Sequence, residues 1–169
     1  MKRDDVDAIL DQWRSERPNV DLSGMAIIAR ISRLDRMIEP VLSAVFSKHG
    51  LESWEFDVLA TLRRSGRPFQ LTAGQLLTSM MIASGTVTNR IDRLATRGLV
   101  ERVPSATDRR QVFVKLTKRG VSVVEAALID HTTNEARLVA ALTPAALRRL
   151  EDGLRDLTRA IAEAELPSA

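Results

Sequence analysis

The chain has 169 residues, with 25 Lys+Arg, 22 Asp+Glu and a formal net charge of +3; 44% of its residues are hydrophobic and 28% are charged. That is the balance of a folded domain with helical arms, and it argues against a disordered chain. Cysteine is absent and the two histidines, His49 and His131, lie far apart, so no disulfide scaffold, thiolate metal site or thiol nucleophile is expected, and no cofactor. No apolar run approaches the ~20 residues of a membrane span, and the opening MKRDDVD is too charged for a secretory signal. The cytoplasm is therefore the expected location.

In chain order, Val6, Ile9, Leu10 and Trp13 stand at helical spacing over 5–17, with Asp4 or Asp5 as N-cap and Pro18 as the stop. Apolar residues step by three or four from Met25 to Phe46, which predicts a long amphipathic helix with Pro40 inside and Gly50 as C-cap. A helix follows over 53–64, ending near Gly66 and Pro68. Thr72 and Gln75 have the spacing of a capping box, opening a short helix over 72–80. Ser84 caps the next helix, 85–97, which ends before Gly98.

Then the period changes. Leu99–Val103 and Val112–Leu116 are β-rich runs separated by polar PSATDRRQ, which predicts a two-stranded hairpin with a long basic tip. Thr117 caps a helix reaching Leu142, and Thr143 with Pro144 starts the last one, whose Leu147, Leu150, Leu154, Leu157 and Ile161 form one stripe. The expected class is mainly α with a small β-hairpin. Its expected parts are 1–50, an added helix and a long helix; 51–117, the lobe with the hairpin; and 118–169, two further helices. The helix–helix–hairpin unit is near the minimum size for a core. The long terminal stripes therefore call for an apolar partner, and a second copy of the chain suits them best.

Charge is unevenly placed. Residues 84–120 hold nine basic and three acidic groups, while 1–83 sum to zero and 121–169 are acidic. A concentrated basic segment is the footprint of a polyanion binder. The two helices at 72–80 and 84–97 have the pattern of a helix-turn-helix, and the hairpin behind them makes it a winged one. Ser84, Thr86, Thr88, Asn89, Arg90 and Arg93 on the second helix suit base edges and phosphates in the major groove of double-stranded DNA. Asp108, Arg109 and Arg110 sit at the hairpin tip, where arginine suits the minor groove. An enzyme is disfavoured: Glu55 and Asp57 point in different directions on a helix, and there is no phosphate loop, metal spacing or nucleophile elbow.

The segment SGTVTNRIDRLATRGLVERVPSATDRRQVFVKLTKRG, with EFDVLATLRR at 55–64, resembles the MarR family of bacterial transcription regulators over roughly residues 23–165. The resemblance implies a homodimer of winged helix-turn-helix lobes joined by terminal helices. It also implies a pseudo-palindromic operator and release by a small, often anionic, ligand. The added helix with Trp13 is similar to that of the urate- and trans-aconitate-responsive branch. By motif position, that branch's sensing residues fall on Trp13, Asp57, Arg90 and Arg102. An Asp57–Arg102 ion pair, open to competition by an anion, is expected on this basis. A constitutive or architectural DNA binder with no effector is the alternative.

Overall fold

The computed structural model describes residues 3–80, 87–105, 107–108 and 110–164. The order is α1 (Asp5–Glu16), α2 (Ser23–Lys48), α3 (Ser53–Arg64), β1 (Gln70–Thr72), α4 (Ala73–Met80), α5 (Val87–Thr96), β2 (Val100–Pro104), β3 (Val112–Leu116), α6 (Lys118–Val139) and α7 (Pro144–Glu163). The chain divides into two compact units, one up to Ala127 and one from Leu128 onward.

Local chemistry explains most boundaries. Asp4 caps α1 by accepting the Asp7 N–H at 3.0 Å, while the Asp7 carboxylate accepts the Asp4 N–H at 2.9 Å. Thr72 and Gln75 form the reciprocal box expected of them, with Gln75 Oε1 accepting the Thr72 N–H at 2.9 Å and Thr72 Oγ1 the Gln75 N–H at 3.2 Å. Thr117 Oγ1 accepts the Gly120 N–H at 3.0 Å at the start of α6. Thr143 Oγ1 accepts the Ala146 N–H at 3.2 Å, with Pro144 in the first turn of α7. Helix α2 runs on through Pro40, and Gly50 behind it has φ +66°, the left-handed conformation that favours glycine.

The hairpin expected from the sequence is part of a three-stranded antiparallel sheet, in the order β1-β3-β2. Strand β1 was not expected. Its three residues carry no period of their own; pairing with β3 makes them a strand, Gln70 opposite Lys115 and Thr72 opposite Phe113. Phe69, at φ +62°, turns the chain into it. Between β2 and β3 the register sets Val100 opposite Leu116 and Arg102 opposite Val114.

The main core gathers α2, α3, α4, α5, the sheet and the start of α6. Phe46 stacks on Phe56 with centroids 4.3 Å apart, and Leu59, Leu62, Leu76, Ile91, Leu94, Leu99, Val114 and Val124 are buried around them. A smaller cluster docks α1: Val6, Leu10 and Leu22 against Ala26 and Ala29. An electrostatic clasp reinforces it. Arg30 reaches Asp4 at 2.9 Å and Asp7 at 2.7 Å, and Arg33 pairs with Asp5. The hydrogen bond from Arg30 leads in holding the Asp4 carboxyl below its ordinary value of 3.8. A depressed carboxylate contributes stability above its unfolded pKa and loses it as pH falls through the folded one. The clasp is therefore complete at neutral pH. Arg30→Ala is expected to speed amide hydrogen exchange in α1 severalfold at pH 7 while leaving α3 protected. Wild-type α1 should loosen the same way only as pH falls below 3.8.

In the second unit, α7 buries none of its residues, and Leu150, Leu154 and Ile161 are each 46% exposed. Ile27, Ile28, Leu34 and Met37 of α2 are likewise exposed in the first unit. No described helix is long and apolar enough to cross a membrane.

Candidate nucleic-acid interface

Helix α5 is held by its apolar side, where Ile91 and Leu94 are buried, and it offers Thr88, Asn89, Asp92, Arg93 and Thr96 to solvent. Asn89, Asp92, Arg93, Thr96 and Arg97 line an open cleft along it. Ser84 and Thr86, expected in the same reading face, lie outside the described residues, as does the Arg109 tip residue.

At the hairpin tip the Ser105 N–H donates to the Gln111 carbonyl at 2.9 Å, and the Gln111 N–H to the Asp108 carbonyl at 3.0 Å. Asp108 Oδ1 accepts the Arg110 N–H at 2.9 Å. Asp108 thus uses its carboxylate to shape the turn, an Asx-type role that keeps an anion bonded locally. Arg110 is exposed beside it.

Arg102 departs from expectation. Its Nη1 lies 2.6 Å from Asp92 Oδ1, a pair between β2 and α5 with both side chains about half exposed. The partly buried Asp57–Arg102 pair expected from the sequence is replaced by this one. The cause is the turn at Gly98, φ +66°, which folds β2 back beside α5 and brings residues ten apart face to face. Asp57 stands on α3 by a small cleft with Ala60, Thr61, Arg64, Ser79 and Met80. Arg64 crosses that cleft's wall, donating to the Ser79 carbonyl at 2.8 Å. Trp13 is on α1 and 46% exposed. Arg90 lies over the ring of Trp54, 5.4 Å from its centroid. The four expected sensing residues therefore occupy four different settings within this chain.

Residues 50–55 form a group that no motif in the sequence announces. Trp54 also carries Arg93, at 4.8 Å. Its indole N–H donates to Glu52 Oε2 at 2.7 Å, and Glu52 Oε1 accepts from Arg93 Nη2 at 2.6 Å. The indole hydrogen bond leads in holding the Glu52 carboxyl below the ordinary range, with Arg93 adding to it. Glu55, fully buried, accepts the Glu52 N–H at 2.9 Å and pairs with Arg97, which also donates to the Gly50 carbonyl at 2.6 Å. Glu55 Oε1 has no hydrogen-bond partner among the described residues. The available signal was the spacing of arginines 90, 93 and 97 on one helical face.

The arrangement of two short helices, a basic second helix and a three-stranded sheet is found in proteins of known role. Residues 49–111 match the model of the MarR family. The chain is 40% identical over 131 residues to the HTH-type transcriptional regulator PecS of Dickeya dadantii, covering 78% of this chain and 79% of that one. It resembles a cysteine-to-serine variant of E. coli MarR complexed with operator DNA, at 25% identity and TM-score 0.68, over 86% of this chain and 96% of that one. The fold also matches AbsC, a MarR family transcriptional regulator from Streptomyces coelicolor, at TM-score 0.74 and 20% identity, over 86% and 97% of the two chains. These relatives are regulators rather than enzymes. With the fold and the curated likeness in agreement, the chain belongs to the MarR family of DNA-binding transcription regulators.

Proposed function

We propose that the protein is a homodimeric repressor that binds a pseudo-palindromic operator and is released by a small anionic ligand such as urate or a tricarboxylate. The observation that carries the reading is α5, which exposes Thr88, Asn89 and Arg93 just ahead of a basic-tipped β2–β3 hairpin. In this reading α5 enters the major groove and Arg109 and Arg110 enter the minor groove. The 51–117 lobe reads DNA, and the exposed apolar faces of 1–50 and 118–169 meet a second copy. The operator complex of the MarR relative supports the first part. The protein works where the DNA is, in the cytoplasm.

Trp13, Asp57, Arg90 and Arg102 remain the effector residues of this reading. A tryptophan face stacks on a flat ring, and arginine binds a carboxylate with two hydrogen bonds. The observed pairings give the ligand leverage on α5. An anion that captures Arg102 leaves Asp92 of α5 without its cation. One that captures Arg90 removes it from Trp54. Either event biases the reading helix toward another placement, which is the differential interaction a population shift requires.

The test is thermal melting with urate, xanthine, trans-aconitate, citrate and salicylate, on wild type, Trp13→Ala and Arg102→Ala. A ligand at 100 times its Kd stabilises by about 2.7 kcal/mol, a shift of several degrees for a chain of this length. One compound should raise the melting temperature and weaken DNA binding in wild type, and do neither in the variants. If none of the five changes either quantity, the constitutive regulator becomes the better description.

A further inference from the structure

Arginines 90, 93 and 97 are each met by the 50–55 segment: the Trp54 ring under Arg90 and Arg93, Glu52 on Arg93, and Glu55 with the Gly50 carbonyl on Arg97. Of these, the Glu55–Arg97 pair is buried on its acidic side and ties α3 to the end of α5. The Glu52–Arg93 pair is different. Both side chains are more than half exposed, and exposed pairs contribute little to stability. The apolar contacts of Ile91 and Leu94 already seat α5. Glu52 and Trp54 together meet two long cationic side chains of α5, Arg90 and Arg93.

We propose that Trp54 and Glu52 are positioning residues for DNA recognition, presetting Arg90 and Arg93 while Glu52 repels misplaced phosphate. Ordering a rotamer-rich side chain at an interface costs affinity, and an arginine already ordered avoids that loss. Arg93 uses one of its five N–H groups on Glu52, which leaves the others for phosphate or a base edge. The Glu52 carboxylate, 2.6 Å from Arg93 Nη2, repels any phosphate that comes near it without the compensating hydrogen bonds of the remaining Arg93 N–H groups. Trp54 thus contributes affinity, and Glu52 contributes discrimination. The inference rests on α5 being the reading helix.

The experiment measures binding of the full-length protein to a duplex selected by wild type from a random pool, and to a scrambled duplex of equal composition. Variants are Trp54→Leu, Trp54→Phe, Glu52→Gln and Arg93→Ala, each with its melting temperature. Losing two cation–π contacts should weaken Trp54→Leu binding to the selected duplex by about five- to thirtyfold. Trp54→Phe, which keeps an aromatic face, should recover most of that. Glu52→Gln should tighten binding to the scrambled duplex and lower the selected-to-scrambled ratio about threefold, the scale of a modest exposed charge effect. Wild-type affinity in Trp54→Leu, equal loss in the Leu and Phe variants, or an unchanged ratio in Glu52→Gln overturns the proposal if Arg93→Ala still weakens binding. If Arg93→Ala also binds as wild type, the assignment of α5 itself fails, and the positioning role fails with it.

Discussion

Replacing Gly120 with alanine is expected to lower the melting temperature by roughly 6–12 °C. An ideal Cβ at this position stands 2.0 Å from the Leu99 carbonyl oxygen and 3.0 Å from its carbon, and no rotamer relieves a backbone clash. Leu99 has little room to withdraw. It is fully buried, its N–H donates to the Leu94 carbonyl at 3.0 Å, and its own carbonyl accepts the Thr117 N–H at 3.1 Å. Those bonds join the end of α5, the start of β2 and the first turn of α6. Alanine recovers up to about 1 kcal/mol of helix propensity. Overpacking of this severity costs more, about 3–4 kcal/mol, so a net loss of about 3 kcal/mol remains. For a chain of this size, 1 kcal/mol corresponds to about 2–4 °C. Calorimetry at equal protein concentrations is the check, because association would otherwise shift the midpoint. Gly74→Ala in α4, where a Cβ meets nothing within 4 Å, should lose nothing. If the two variants melt together, the close approach of α6 to Leu99 is not a packing constraint.

The second large effect is on DNA. Converting both Arg109 and Arg110 to alanine is expected to weaken operator binding by about 30-fold or more with the melting temperature unchanged. Each wing arginine is assigned a groove or phosphate contact, and contacts of that kind are worth roughly 1–3 kcal/mol. Binding should also depend less steeply on salt, the slope falling by about one for each phosphate contact removed, because fewer counterions are released. Arg110 is exposed and, among the described residues, bonds in the tip through its backbone N–H, so its truncation should not disturb the turn. Fluorescence anisotropy with a selected duplex over 50–200 mM salt reads both quantities. Wild-type affinity and slope in the double variant would remove the wing from the interface.

The seven described helices and two of the three described strands were legible in the sequence because their determinants are local. The caps at Asp4, Thr72 and Thr143 bond atoms three residues away, and the apolar stripes repeat at the period of the helix they make. The family motif, at 84–120, was legible for the same reason: it is one continuous stretch. Three features were decided only in the tertiary structure. Strand β1 exists because β3 supplies its hydrogen bonds. The sequence pointed Arg102 to Asp57, and the turn at Gly98 brought it to Asp92 instead. The Glu52–Trp54 clamp joins residues about forty positions apart, and no pattern within either segment names the other. Propensity and capping are set by a residue's nearest neighbours along the chain. Which carboxylate an arginine finds depends on where the backbone has been carried, and that is settled by burying Leu59, Leu62, Leu94 and Leu99 in one core.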